Sequence, residues 1–416
     1  MENVPIPAVR APVLRTPVVW FTALAAALGT ATTYPLQPAV AEVAGSLHTS
    51  LGAMGVVLAC GPVGYLVGLV LLVPLVDRYR SRTVVAVQFA VLAAALVAGA
   101  AADSPWQLGV LLTLIGAGSA VGAQLSSVAG RFAEPGRRAT VLGAVTAGIS
   151  AGILLGRIIG GWLTDAIGWR AMLLVFAAAC AAVAIAARFA LPAAAGRASA
   201  GYLATVRGIP GLLIGFAVLR WAALRGALWF FAFCAIWAGL AVALSEPPYS
   251  YTPERIGWYA CAGLLGVVAT RIAGAWTDRV GPRRVILAGL ALACLAAAAL
   301  GFGLSNVVVT LICLGLFDAG LFAAQVANQS AVLAIEPAAP ARFNSAYMAV
   351  YFVGGSLGTA FGAAAVGWFG WPGLVAFAVA ATAVAGVVTL VVSPSAGPGP
   401  DPDAVGAISV RAGRGE

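Results

Sequence analysis

Gly274-Ala-Trp-Thr-Asp278-Arg279-Val-Gly281-Pro-Arg283-Arg284 is a short charged stretch set between two long apolar runs, 257–276 and 285–304. A helix needs about 20 apolar residues to cross hydrocarbon, so the stretch reads as a tight turn between two membrane spans. Gly281 supplies a position where positive φ carries no steric cost. Asp278, Arg279 and Arg283 stand where a carboxylate and guanidinium groups can latch neighbouring helix ends. A merely solvated basic loop is the plainer alternative.

Working outward, the same alternation fills the chain. Hydrophobic residues make up 62% and charged residues only 9%, where a globular domain carries about a quarter charged. That much apolar side chain exceeds what the cores of a 416-residue soluble protein would hide, so lipid covers the remainder. Spans are expected near 17–40, 51–75, 84–101, 106–130, 139–163, 170–191, 226–244, 257–276, 285–304, 307–332, 343–367 and 371–393. The first is too long and too well continued for a cleavable signal peptide. The prediction is an all-α membrane protein of twelve transmembrane helices in two six-helix, pseudo-symmetric bundles.

The net charge of +9 comes from arginine alone, because the sequence has no lysine. In a soluble protein that balance would suggest nucleic acid; here the arginines sort by membrane side. With the N-terminus inside, nineteen of the 23 fall in inner segments, only Arg170 and Arg255 in outer loops, and Arg157 and Arg271 within spans. The positive-inside rule then predicts a multi-pass protein of the bacterial plasma membrane with both termini cytoplasmic. Cys60, Cys180, Cys234, Cys261, Cys294 and Cys313 all lie in apolar runs and read as small buried hydrophobes. His48 alone builds no metal site, so neither metal nor cofactor is expected.

The chain divides into a bundle over 1–191, a linker over 192–225 with a surface-lying or early-starting helix, a second bundle over 226–393 and a disordered tail over 394–416. At an offset of about 201, Asp77, Arg78 and Arg82 fall on Asp278, Arg279 and Arg283. At 202, Gly152, Gly156 and Gly160 meet Gly354, Gly358 and Gly362, and Gly168-Trp169 meets Gly370-Trp371. Parallel repeats of this kind place a substrate site at their interface near mid-membrane.

The 274–284 stretch resembles the GxxxDRxGRR loop signature of the major facilitator superfamily. Its first-half copy, Val73-Pro-Leu-Val-Asp77-Arg78-Tyr-Arg80-Ser-Arg82, keeps the charges and lacks both glycines. Gly143, Gly152, Gly156, Gly160 and Gly161 are similar to the superfamily's antiporter spacing G(x8)G(x3)GPxxGG, with Arg157 at the proline position. Glycines four apart also let helices approach closely whatever their function. Tyr34-Pro35-Leu36-Gln37-Pro38, Gly168-Trp169-Arg170, the series Asp318, Gln325, Asn328, Gln329 and the run Tyr351-Phe352-Val353-Gly354-Gly355 resemble bacterial efflux permeases grouped with arabinose and purine-nucleoside exporters. The resemblance implies rocking alternating access and does not carry a ligand with it.

Of 14 acidic residues, only Asp318 lies deep in a span, ~18 Å from its outer end at 1.5 Å per residue. Ionisable groups at this depth cost roughly 2.5–3.5 kcal/mol and are functional candidates by default. Asp318 is the expected proton-coupling carboxylate; a permanently ionised partner of a buried arginine is the alternative. Arg157, ~9 Å from the outer end of its span, is read three ways: pairing with Asp318, binding an anionic substrate group, or snorkelling outward. Gln124, Gln325, Asn328 and Gln329 are expected along a wet cavity wall or in helix–helix hydrogen bonds. Trp229, Phe230, Phe233 and Trp237 present rings that could stack on a ligand or face lipid. Tyr34 and Gln37 share a face and are further cavity candidates.

No GxxxxGK[ST] loop and no Ser/His/Asp or HExxH set is present, which argues against an ATP-driven pump or a hydrolytic enzyme. The expected protein is a monomeric, proton-coupled antiporter exporting a small organic molecule such as a drug, sugar or nucleoside-like compound. Its partners are substrate, protons and the lipid bilayer, with no nucleic acid. An uptake symporter or uniporter, and a transport-inactive scaffold or sensor, are the alternatives.

Overall fold

The computed structural model describes residues 16–134, 137–193, 210–336 and 340–392. The termini, and most of the expected linker, lie outside them. The described chain is helical: α1 (Thr16–Ala31), α2 (Val40–Ser46), α3 (Leu51–Leu71), α4 (Ser81–Ala100), α5 (Pro105–Ser119), α6 (Val121–Phe132), α7 (Arg138–Ile167) and α8 (Trp169–Ala190), then α9 (Ala217–Ser245), α10 (Pro253–Trp258), α11 (Gly263–Val280), α12 (Pro282–Leu300), α13 (Val307–Leu333) and α14 (Pro340–Val391). Ten stretches are long and apolar enough to cross a membrane. The last, Arg342–Val391, turns back at Gly370 (φ 69°) and counts as two crossings, and the shorter apolar α1 makes the twelfth.

Local chemistry explains the boundaries. The expected first span over 17–40 is instead a helix ending at Ala31, followed by turns and the short α2. Pro35 and Pro38 cannot supply the amide hydrogens that a continuing helix needs. Ser50, Ser104 and Asn306 cap α3, α5 and α13 by accepting backbone N–H groups of the first turn. Gly168, Gly281 and Gly370 all take positive φ (81°, 84° and 69°), and each joins two helices where a side chain would be strained. Before the seventh crossing, helical residues 210–215 break at Phe216, and α9 then begins at Ala217, inside the segment read as linker.

Close packing of glycine on backbone ties each half together. A Cβ at Gly152 or Gly156 would lie 2.2 or 2.6 Å from the carbonyl oxygen of Ala27 or Ala31 on α1. In the other half, a Cβ at Gly354, Gly358 or Gly362 would lie 2.2, 2.2 or 2.3 Å from the carbonyl oxygens of Ala227, Phe231 and Ala235 on α9. The sequence repeat is therefore a packing repeat. Gly160 continues the stripe against Pro35, and Gly161 meets Pro253 of the other half. Gly143 corrects the expectation: nothing lies within 4 Å of a Cβ there, because nine residues at 3.6 per turn place it on the side of α7 opposite Gly152, while Val141 and Val145 are the buried residues at that level. Large apolar side chains such as Leu24, Val87, Ile185 and Leu295 cover the outside of the bundle, a surface suited to hydrocarbon rather than water.

The charged turn at 278–284 is exposed around Asp278, Arg279 and Arg283, and Arg283 donates from Nη2 to the Leu390 carbonyl oxygen at 2.8 Å. This anchors the last crossing to the start of α12. In the first half, Arg131 of α6 forks onto the Val76 carbonyl oxygen at 3.1 and 3.2 Å. Arg82 is half-buried, and the side chain of Asp77 lies outside the described ones.

Candidate functional site

The two halves meet around a cavity of about 220 Å³. Its first wall is set by the turns after α1. The amides of Tyr34 and Gln37 bond back three residues, to Ala31 and Tyr34, which directs both side chains inward. Arg157 of α7 reaches them: its Nε donates to Gln37 Oε1 at 2.6 Å, and its guanidinium carbon lies 5.0 Å from the Tyr34 ring centre. The guanidinium also lies 4.4 Å from the ring of Trp237 on α9, a cation–π contact across the two halves. Trp237 in turn donates from its indole Nε1 to Asp318 Oδ1 of α13 at 3.1 Å.

Gln37, Arg157, Trp237 and Asp318 thus form one chain of contacts that starts in the first half and ends in the second. Arg157 is 5% exposed and Asp318 1%. Of the three readings of Arg157, the geometry corrects the direct pairing: among the described residues no ion pair joins it to Asp318, and the indole of Trp237 touches both. A smaller space adjoining the cavity is lined by Arg157, Asp318, Phe233 and Phe322. Gly266 makes room there, since a Cβ on it would lie 2.3 Å from the Phe322 ring.

Aromatic rings complete the walls. Phe230 stacks on Tyr351 at 4.0 Å between centres, Tyr65 of α3 meets Phe352 of α14 at 4.7 Å, and Phe233 meets Phe322 at 5.6 Å. Tyr65, Phe322, Tyr351 and Phe352 line the cavity without having been singled out as site residues, as do Thr30, Thr33, Ile149, Ile153 and Thr359. Nothing in a lone tyrosine of an apolar run tells a cavity face from a lipid face. Tyr351-Phe352 had a signal in its adjacency to the Gly354-Gly355 pair, which sits where α14 packs on α9.

Several expected cavity residues lie elsewhere. Trp229 is fully buried behind the wall and does not line the cavity. Gln124 donates to the Leu72 carbonyl oxygen at 2.7 Å and ties α6 to the end of α3. Asn328 accepts from Arg225 Nε at 2.6 Å and donates to the Ala222 carbonyl oxygen, Gln329 donates to Asn344 Oδ1 at 2.9 Å, and Gln325 accepts from the Tyr347 hydroxyl. These amides knit α9, α13 and α14 together. Asp318 of that stripe lines the small space beside the cavity, while the amides find protein partners one helix away.

The cavity is shut on the arginine-poor face. There Asp165 Oδ2 of α7 accepts the backbone N–H of Glu254 on α10 at 3.0 Å. A Cβ at Gly161 would lie 2.3 Å from the Pro253 carbonyl oxygen, and one at Gly55 would lie 2.2 Å from the Ala363 methyl. Towards the arginine-rich face, a Cβ at either Gly143 or Gly274 would meet nothing within 4 Å. Outside the spans, on the closed face, Glu42 Oε1 accepts the Trp169 N–H at 3.4 Å. Burial pushes the Glu42 carboxyl above its ordinary range, opposed by that bond and reinforced by nearby Asp165.

Comparison with known proteins agrees with this architecture. The sequence profile described as Major Facilitator Superfamily matches residues 19–245 and 228–412. The uncharacterized transporter YgaY of Escherichia coli is 29% identical over 351 residues, covering 84% of this chain and 89% of the relative. A Streptomyces coelicolor protein named as a transporter is 31% identical over 359 residues, covering 86% and 83%. Among solved structures, a bacterial homologue of the human lysosomal transporter Spinster, inward-facing and unoccupied, shares the fold with a TM-score of 0.74 at 15% identity, covering 91% of this chain and 99% of that one. The nucleoside transporter NupG does so with a TM-score of 0.76 at 11% identity, covering 90% and 98%. Twelve crossings in two glycine-packed halves, closed over a central cavity, are those of a multi-pass membrane transporter, and the chain belongs to the Major Facilitator Superfamily.

Proposed function

We propose that the protein is a proton-coupled antiporter of the bacterial plasma membrane, exporting a small organic molecule by alternating access, with its arginine-rich face in the cytoplasm. The observation that carries this reading is Asp318. It is a carboxylate within an apolar crossing, beside the cavity, bonded to Trp237 and not ion-paired to Arg157. A carboxylate locked in an ion pair has no reason to take up a proton. One held by a single indole N–H can exchange protons with whichever face the cavity opens to.

In this cycle the proton and the exported molecule occupy the same region in turn. The cavity loads while it is open to the arginine-rich face. The halves then rock, the Asp165–Glu254 bond and the glycine contacts around it part, and the solute leaves. A proton reaching Asp318 from the far side accompanies the return. Both halves contribute to the site, so rocking one against the other changes access without dismantling either wall.

The test uses proteoliposomes loaded with candidate solutes and a pH-sensitive dye. Antiport moves solute and proton in opposite directions, and Asp318→Asn abolishes the proton-driven component while leaving the protein folded. Fluxes in the same direction establish uptake symport instead. No flux for any solute, or full active transport by Asp318→Asn, removes the proposal.

A further inference from the structure

Arg157 and Asp318 offer a ligand two unfilled valences of opposite sign. Arg157 uses only Nε in a hydrogen bond, to Gln37, while its guanidinium lies against the rings of Tyr34 and Trp237; among the described residues its two terminal nitrogens meet no acceptor. Asp318 commits Oδ1 to Trp237, and its Oδ2 meets no donor among the described residues. Both side chains are more than nine-tenths buried and line the same small space beside the main cavity. In a low-dielectric space a charged group gains from each further partner, so a ligand that supplies an acceptor to Arg157 and a donor to Asp318 suits the space they share. Beyond them the cavity is walled by the rings of Tyr34, Tyr65, Phe230 and Tyr351.

We propose that the exported solute is an aromatic zwitterion, its anionic group on the free nitrogens of Arg157, its amino group on Asp318 and its ring among the aromatic walls. Charge balance selects this class. A simple aromatic anion satisfies Arg157 and is repelled by Asp318; a simple aromatic cation meets the reverse. A neutral ring leaves both side chains desolvated and unpartnered. A zwitterion fills both and adds no net charge to a low-dielectric cavity. The inference rests on the antiport reading in one respect: the solute's amino group and a proton compete for Asp318, which couples their movements in opposite directions.

The experiment is calorimetric titration of the purified full chain in nanodiscs with L-phenylalanine, benzoate and phenethylamine in weakly buffered solution. Phenylalanine is expected to bind saturably and at least about tenfold more tightly than either single-charge probe, since each lacks one charged hydrogen bond. In Arg157→Gln and Asp318→Asn that advantage disappears. The ranking on the unmodified protein stands alone if either variant misfolds. Benzoate or phenethylamine binding as tightly as phenylalanine, or no saturable phenylalanine binding, overturns the substrate class. Phenylalanine bound tightly with no proton released keeps the class and overturns antiport. Protons released by other solutes, in a protein that ignores phenylalanine, overturn the class alone.

Discussion

Alanine at position 152 would carry its methyl carbon 2.2 Å from the Ala27 carbonyl oxygen, with the Ala27 carbonyl carbon and Cα each at 3.0 Å. Ordinary contact begins near 3.4 Å, so α1 and α7 must separate by about 1.2 Å, and the atoms in the way are backbone that no rotamer can move. Overpacking of this kind costs about 1–3 kcal/mol. Removing a glycine from a helix returns about 0.5–1 kcal/mol. Gly143→Ala on the same helix collects only the second effect, because a Cβ there meets nothing within 4 Å. The difference between the two variants therefore isolates the clash, about 1–3 kcal/mol. The same separation would stretch the 2.6 Å bond from Arg157 to Gln37 towards about 3.8 Å, beyond hydrogen-bonding distance. A shift of about 1 Å at a positioned group can cost about a hundredfold in rate. Thermal unfolding in detergent, followed by fluorescence on a sizing column, should rank Gly152→Ala below the unmodified protein and Gly143→Ala level with it or above. Flux should fall by about tenfold or more in Gly152→Ala alone. Equal stability and flux in both variants would refute the claim that the glycine stripe sets the height of the site.

Three further outcomes are expected. Trp237→Phe keeps a ring near Arg157 and deletes the indole donor, leaving Asp318 Oδ1 unbonded; at about 1–3 kcal/mol for a buried acceptor left unmet, transport should drop about five- to a hundredfold with the sizing profile unchanged. Asp165→Ala removes an exposed tie between the halves that is worth at most about 1 kcal/mol, so opening of the arginine-poor face should rise by no more than about fivefold; the readout is labelling of the cavity thiol Cys234 by a membrane-impermeant reagent, located by mass spectrometry. Glu42 has a raised folded-state pKa, so the folded protein holds its proton more tightly than the unfolded chain does. Its contribution to stability is present at low pH and lost as pH rises above the ordinary value of 4.5 and through the folded-state pKa; Glu42→Gln should flatten that decline in the thermal midpoint.

How far the sequence reached depended on the kind of signal. Periodic signals survived folding. Gly152, Gly156 and Gly160 against Gly354, Gly358 and Gly362 predicted matched close approaches, and the structure puts carbonyl groups or Pro35 against each. Gly281 was read as a positive-φ turn and is one. A lone carboxylate in an apolar run made Asp318 visible. What stayed hidden were pairings across distance. Trp237 is 81 residues from Asp318, and Gln37 is 120 from Arg157 in a segment where two prolines abolish helical periodicity. The amides of α13 stood between two readings, a cavity wall or bonds to a neighbouring helix, for a related reason: polarity in a crossing shows that a partner is needed without saying whether that partner is water, solute or the next helix.

Arg157 makes two contacts with different consequences. Its side chain enters the cavity, while its backbone carbonyl lies under α10, where a Cβ added to Gly257 would come within 2.7 Å of it. Four residues further along α7, Gly161 packs on Pro253 of the same short helix. The helix that supplies the guanidinium is therefore the helix that seals the arginine-poor face. No chain of intermediates is needed to connect site and seal, because one rigid element belongs to both and its displacement changes them together. This geometry also accounts for the close glycine contacts between α1 and α7. If α7 must carry both the site and the seal, its height against α1 has to be fixed by contacts that cannot relax, and glycine against backbone carbonyl is such a contact.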